Sequence, residues 1–262
     1  MWKIVLLSLP LFTLSHTGLA NSHDHECLRL HVIKSAPIGF LDQNDNPTGV
    51  QWRYLEEIEK HSGLCITPLL MPYPRIWSSI KNNRHDGGIV FRSPSRSQYV
   101  QYVQYVASIR TVNTLVIPIK GRKVSSFDDL YDLKIGKLRG NHLSKQFDND
   151  PNLNVIEFSS YDQLAAMFNA KRISAVAGSA LILNYQLQQY GVSDILDFEE
   201  KFILGEKEQW LQIANGSKHL DKIPKLKQTI EALKLDGTFD RIMDEFHQPG
   251  WRNINQSALS DD

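Results

Sequence analysis

The chain has 262 residues, with 29 basic against 29 acidic side chains, and hydrophobic residues make up 42% of it. The balanced charge argues against a nucleic-acid binder, which carries a basic excess, and the apolar share is that of a packed core rather than a disordered chain. The length beyond the first twenty residues exceeds one compact core and suits two modest lobes.

Residues 1–20 read as a cleavable export signal: Lys3 gives a positive start, residues 4–14 form an apolar run, and Gly18-Leu19-Ala20 supplies small residues for cleavage. The run is too short for a membrane helix, which needs about 20 apolar residues. The mature chain is therefore expected in the periplasm. It is expected to diffuse freely, because Asp24-His25-Glu26 ahead of Cys27 is unlike the small apolar run that precedes a lipid-modified cysteine. Cys27 and Cys65 are the only cysteines, and an even count in an oxidising compartment points to a disulfide between them. Cleavage after Ala20 would expose Asn21-Ser22-His23, a donor pattern suited to Cu(II) or Ni(II). It is read as an adventitious feature of a tail, and no resident metal is expected.

From there strand and helix signals alternate, the pattern of an α/β architecture. Residues 28–33 read as a strand, 42–49 as a polar turn, and 50–61 as a helix with Leu55 and Ile58 at helical spacing and Gly63 as its C-cap. A strand at 65–70, a short helix at 76–82 and a buried strand at 88–91 follow. Residues 114–119 are β-rich, and 120–123 are placed as the passage into a second lobe. That lobe opens with Ser126 as an N-cap ahead of Asp128 and Asp129. A strand at 133–138, the loop Arg139-Gly140-Asn141 leading into a helix, a helix at 161–170 and a strand at 173–177 complete it. Residues 209–214 return to the first lobe. Residues 223–246 are two helices broken at Asp236-Gly237-Thr238, Gly ending one and Thr capping the next, and 249–262 read as a flexible tail. Two short crossing segments would join the lobes, a layout suited to hinge closure.

Several segments in this order resemble the family-3 extracellular solute-binding proteins. They are Ala36-Pro37-Ile38-Gly39-Phe40 with Pro47-Thr48-Gly49, residues 80–87, Ser93-Pro94-Ser95-Arg96, residues 128–136, and Leu235-Asp236-Gly237-Thr238-Phe239 with Ile242 and Phe246. The resemblance implies a type II periplasmic-binding-protein fold: two lobes, each a mostly parallel sheet flanked by helices, joined by two hinge crossings. Residues 21–118 with 211–248 would form the first lobe and 119–210 the second. It further implies a monomer without cofactor that captures a small polar, carboxylate-bearing solute and delivers it to an inner-membrane permease of an ABC importer. A ligand-sensing subunit for a membrane receptor, or a cyclohexadienyl dehydratase-like enzyme, are the alternatives.

The same resemblance places the site. Arg96 falls where the family grips a ligand carboxylate, for which a planar guanidinium offers two parallel hydrogen bonds; the alternative is a solvated surface arginine. Ser93 either donates to that carboxylate or caps a helix. Across the cleft, Gly140 permits close backbone approach, Asn141 can cap and donate, and Arg139 is a second positive group or a solvated loop charge. Tyr73 and Phe40 are aromatic walls or packing residues, and Phe91 offers backbone contacts. Ser179 stands where amino-acid binders carry an Asp for the ligand ammonium, which weakens an amino-acid assignment. No phosphate loop, metal-spaced cluster or nucleophile elbow occurs, so no catalytic residue is expected.

Overall fold

The computed structural model describes residues 27–92, 100–247 and 251–255. The proposed signal, the Asn21-Ser22-His23 terminus, Ser93 and Arg96 lie outside the described residues.

In chain order the first half comprises β1 (Leu28–Ile33), β2 (Phe40–Leu41), β3 (Pro47–Thr48), α1 (Val50–Ser62), β4 (Ile66–Met71), α2 (Tyr73–Lys81) and β5 (Gly87–Phe91). The long strand β6 (Val103–Pro118) leads to β7 (Lys134–Leu138), α3 (Lys145–Asn149), β8 (Asn154–Phe158), α4 (Tyr161–Asn169), β9 (Ala175–Ser179) and α5 (Ala180–Gln189). A second long strand, β10 (Phe202–Ala214), returns to α6 (Ile223–Leu235), α7 (Thr238–Phe246) and α8 (Trp251–Asn255).

These strands form one eight-stranded sheet in the order β4-β1-β5-β10-β6-β9-β7-β8. The trio β4-β1-β5 is parallel, as is the trio β9-β7-β8, while β10 and β6 run antiparallel to each other and to the trio each adjoins. The apolar strands are buried on both faces, which is why they read as near-continuous hydrophobic runs. In β6, Leu115 and Ile117 enter one second-lobe core beside Leu164 and Leu183, while Val116 between them enters another beside Leu130 and Ile135. In β5, Ile89 joins the main first-lobe core and Val90 the smaller one beside Ile76 and Ile80. Core membership changes between Val112 and Leu115 on β6 and between Leu204 and Leu211 on β10.

Helix α1 buries Val50, Gln51, Tyr54, Leu55, Ile58 and Ser62 on one face, and Tyr54 lies 4.6 Å from the Phe239 ring of α7. It ends where expected: Gly63 takes the left-handed conformation (φ 65°) and its N–H reaches the Glu59 carbonyl.

Local chemistry departs from the expectations at four places. Helix α2 begins at Tyr73, with Pro74 in its first turn where no amide partner is needed. At the second lobe's opening Ser126 does not cap the turn; Asp129 instead ties down the preceding loop, accepting the N–H groups of Ser125 and Ser126, each at 2.8 Å. At the terminal pair, Gly237 is left-handed, but Asp236 rather than Thr238 supplies the cap, accepting the Thr238 N–H at 2.8 Å. Residues 251–255, expected within a flexible tail, form α8, and Trp251 is only 4% exposed.

The crossings are also longer than expected, since β6 and β10 pair from Val103↔Ala214 to Val116↔Phe202.

Cys27 and Cys65 form a disulfide joining the starts of the parallel neighbours β1 and β4. Replacing either with Ser is expected to lower unfolding free energy by about 3 kcal/mol, measured by urea denaturation with and without reductant; an unchanged midpoint would contradict a stabilising bridge.

A second cross-strand tie lies under β5. His31 Nδ1 and His85 Nε2 share a hydrogen bond of 2.8 Å, and both residues are buried. Burial holds the His85 imidazole down to about 4, with Asp86 opposing and Arg29 adding to the shift. Burial, then the neighbouring His85, holds His31 well below the ordinary histidine value. Both rings are therefore neutral when folded but take up protons below about pH 6.5 when unfolded, so stability falls as pH drops from 6.5 towards 4. Thermal denaturation across that range is expected to show this slope, reduced in a His85→Asn variant.

Candidate functional site

The strand register determines where a site can form. On β10, Phe91 at the end of β5 pairs with Gln209; on β6, Ser179 at the end of β9 pairs with Thr114. Both trios thus aim their carboxyl ends at the middle of the β6–β10 ribbon, from opposite sides. Between them lie the ribbon pairs Thr111↔Glu208, Val112↔Lys207 and Asn113↔Glu206. Ligands of open α/β sheets bind outside the carboxyl ends of strands, and a cleft of about 440 Å³ occupies that position.

Ile33, Ser35 and Ile38, following β1, line its first wall with Tyr73, Pro74 and Phe91. Residues 139–143, following β7, line the second wall with Ser179 and Ile182. Val112, Thr114 and Lys207 contribute from the ribbon.

No protein-family model matches the chain, and no curated protein matches it. Solved structures do match. The second substrate binding domain of a putative amino acid ABC transporter from Streptococcus pneumoniae superposes with a TM-score of 0.64 at 20% identity, over 85% of this chain and 100% of that one. An ancestral cationic amino acid solute binding protein gives 0.67 at 17% identity, over 86% and 97%. The BvgS periplasmic VFT2 domain of Bordetella pertussis gives 0.68 at 14% identity, over 86% and 94%. The chain has the two-lobe periplasmic-binding-protein fold.

Within this fold, the structure brings together six residues singled out in the sequence: Tyr73, Phe91, Arg139, Gly140, Asn141 and Ser179. Phe40 is placed elsewhere, in the β2–β3 hairpin, its ring edge-on to Phe246 at 6.3 Å. Arg139 is exposed, 4.0 Å from Glu157. Ser179 precedes α5 with its hydroxyl oxygen buried and unpartnered among the described residues.

Sequence reasoning missed Lys207, Thr114, Val112 and His142, all of which line the cleft. The signal was weak, because the charged run 206–208 continues the return strand backwards into the ribbon without an apolar/polar alternation.

The second-lobe wall is fixed through its carbonyls. Gly140 takes a left-handed turn (φ 77°) after β7, and the Asn141 N–H returns to the Leu138 carbonyl at 3.1 Å. Lys137 donates to the Asn141 carbonyl at 3.1 Å and lies between Asp148 (3.6 Å) and Glu157 (3.4 Å). Lys207 donates to the His142 carbonyl. The Thr114 hydroxyl lies 3.0 Å from the carbonyls of both Leu143 and Gly205 and, having one proton, donates to one at a time. Asp148 accepts the Leu143 N–H at 2.8 Å. Burial holds the Lys207 ammonium below the ordinary lysine value, with Asp148 opposing and Lys137 adding to the shift.

Removing the buried charge at the centre of this arrangement strands its partners. Lys137→Met is expected to cost about 2–3 kcal/mol of folding stability, against less than about 0.5 kcal/mol for Lys134→Met at the exposed start of the same strand. Urea denaturation of the two variants is the comparison; equal losses would show that the Lys137 contacts carry no weight.

Proposed function

We propose that this chain is a periplasmic solute-binding protein that closes its lobes on a small carboxylate-bearing solute and delivers it to an inner-membrane ABC permease. The observation that carries this reading is the cleft where the strand ends of both lobes converge on the ribbon, with Arg139 and Lys207 facing it. Closure over such a cleft buries a solute between two walls and completes its contacts. Export is supported by the disulfide, and no helix among the described residues is long and apolar enough to cross a membrane.

In this reading Arg96 grips the carboxylate and Ser93 donates beside it, Ser179 and Asn141 approach from the second lobe, and Tyr73 and Phe91 flank the solute. In this reading binding proceeds without turnover. A sensing role for the same binding event is a second reading, supported by a histidine kinase sensor domain that shares the fold with a TM-score of 0.66 at 12% identity. Co-purification with a permease rather than a receptor kinase separates the two.

Thermal denaturation against a broad set of amino acids and organic acids is the direct test. A true solute at a hundredfold excess over its Kd is expected to add about 2.7 kcal/mol, and Arg96→Met is expected to weaken it roughly 10- to 100-fold, the loss of a charge-assisted hydrogen-bond pair. Stabilisation by no member of the set would refute the reading.

A further inference from the structure

We infer that the solute is a small organic anion with an apolar body and no ammonium group, its carboxylate balanced by Lys207 on the cleft floor. The inference rests on the cleft being the solute site, as proposed above, and narrows what that site accepts.

Three observations converge on it. The first is the charge inventory. The ionisable cleft residues that carry or can carry positive charge are Arg139, His142 and Lys207, and no Asp or Glu lines the cleft among the described residues. An amino acid would place an ammonium beside these cations with no carboxylate to receive it, and a desolvated, unpaired charge next to like charges is costly.

The second is that two of the nearby carboxylates, Asp148 and Glu208, are already engaged. Asp148 accepts the Leu143 amide and pairs with Lys137, which also holds Glu157. Glu208 accepts the Trp210 indole N–H at 3.0 Å and lies 3.9 Å from Arg92. Turning either Asp148 or Glu208 to a ligand ammonium would break contacts that hold the second wall or the ribbon.

The third is the state of Lys207. It forms no ion pair within 4.0 Å with a described carboxylate and has a partly desolvated ammonium whose charge an incoming anion would stabilise. Ser179, whose buried hydroxyl is unpartnered among the described residues, lines the same cleft and adds no charge to it. Much of the remaining lining is apolar, with Ile33, Ile38, Phe91, Val112, Leu143 and Ile182 beside the polar Ser35, Thr114 and Asn141, so a largely hydrocarbon body fits the remaining volume.

The test uses matched pairs that differ only in the amine: phenylalanine against 3-phenylpropionate, and leucine against 4-methylpentanoate, titrated calorimetrically into the purified full-length mature protein. At least one acid is expected to bind at least 30-fold more tightly than its amino counterpart. Lys207→Met is expected to weaken that acid at least 10-fold while Lys207→Arg retains most of the affinity. Because Lys207 also donates to the His142 carbonyl, Ser179→Asp provides a variant that leaves the lysine in place; adding a carboxylate to the cleft should shift the preference towards the amino member of each pair. Equal or tighter binding of the amino acids by the unaltered protein overturns this inference and leaves the solute-binding reading standing. Unchanged acid affinity in Lys207→Met overturns the role of the lysine and the inference with it. Failure of these pairs and of the broader solute set together removes both readings.

Discussion

The pairing of β6 with β10 is the constraint from which the other features descend. The two strands pair from Val103↔Ala214 to Val116↔Phe202, with register shifts at Ile203/Gly205, Gln209/Trp210 and Leu211/Gln212, so each lobe attaches to a ribbon that has two ends and one middle. The first trio docks through β5 at one end and the second through β9 at the other. Because both docking strands run antiparallel to the ribbon strand they touch, the carboxyl ends of both trios face the centre. A cleft between the lobes is thus a consequence of strand direction before any side chain is considered. The side chains then decide what the cleft can hold.

That decision lies mainly in the second wall. A loop with three successive carbonyls donated to by Lys137, Lys207 and Thr114 has its backbone acceptors committed to the protein. What it presents to the cleft is governed by its remaining donors and by cationic side chains. Lys137 adds to the lowering that burial imposes on the Lys207 ammonium, and Asp148 opposes it. Lys207 itself has no described carboxylate within ion-pair distance, so an anion arriving beside it would stabilise its charge.

The sequence revealed the apolar trios readily and the ribbon poorly, for one physical reason. Strands such as 28–33, 133–138 and 173–177 are buried on both faces and read as continuous hydrophobic runs. The ribbon's middle is cleft floor, and its residues Arg110, Thr111, Asn113, Glu206, Lys207 and Glu208 interrupt both hydrophobicity and alternation. Only the ends of β6 and β10 therefore looked like strands. The same asymmetry governed the site. Tyr73, Phe91, residues 139–141 and Ser179 lie at or just after strand ends, which segment order locates, whereas Lys207 sits inside a strand that composition had obscured. Helix α8 was missed because five residues are too few to show a helical period, and its order comes from tertiary contacts: the Trp251 indole donates to Asp244, which also pairs with Arg252.

Backbone accounting explains why α8 belongs where it is. In its middle the ribbon has lost β5 on one side and has not yet gained β9 on the other, so strand amides and carbonyls there lack a neighbouring strand. Buried backbone groups left in that condition are costly. On the β10 side the Arg92 N–H reaches the Glu208 carbonyl at 2.8 Å. On the β6 side Asn255 takes the place of a strand: its side chain accepts the Asn113 N–H at 2.9 Å and donates to the Thr111 carbonyl at 3.1 Å, while its own carbonyl accepts from the Asn113 side chain. Three residues earlier Arg252 is tied to Asp244 of α7, and Ile254 packs with the second-lobe core. One short helix thereby satisfies the open edge of the ribbon and touches both lobes where they meet. Any rotation of one lobe against the other must either carry α8 with one of them or break its contacts with the other.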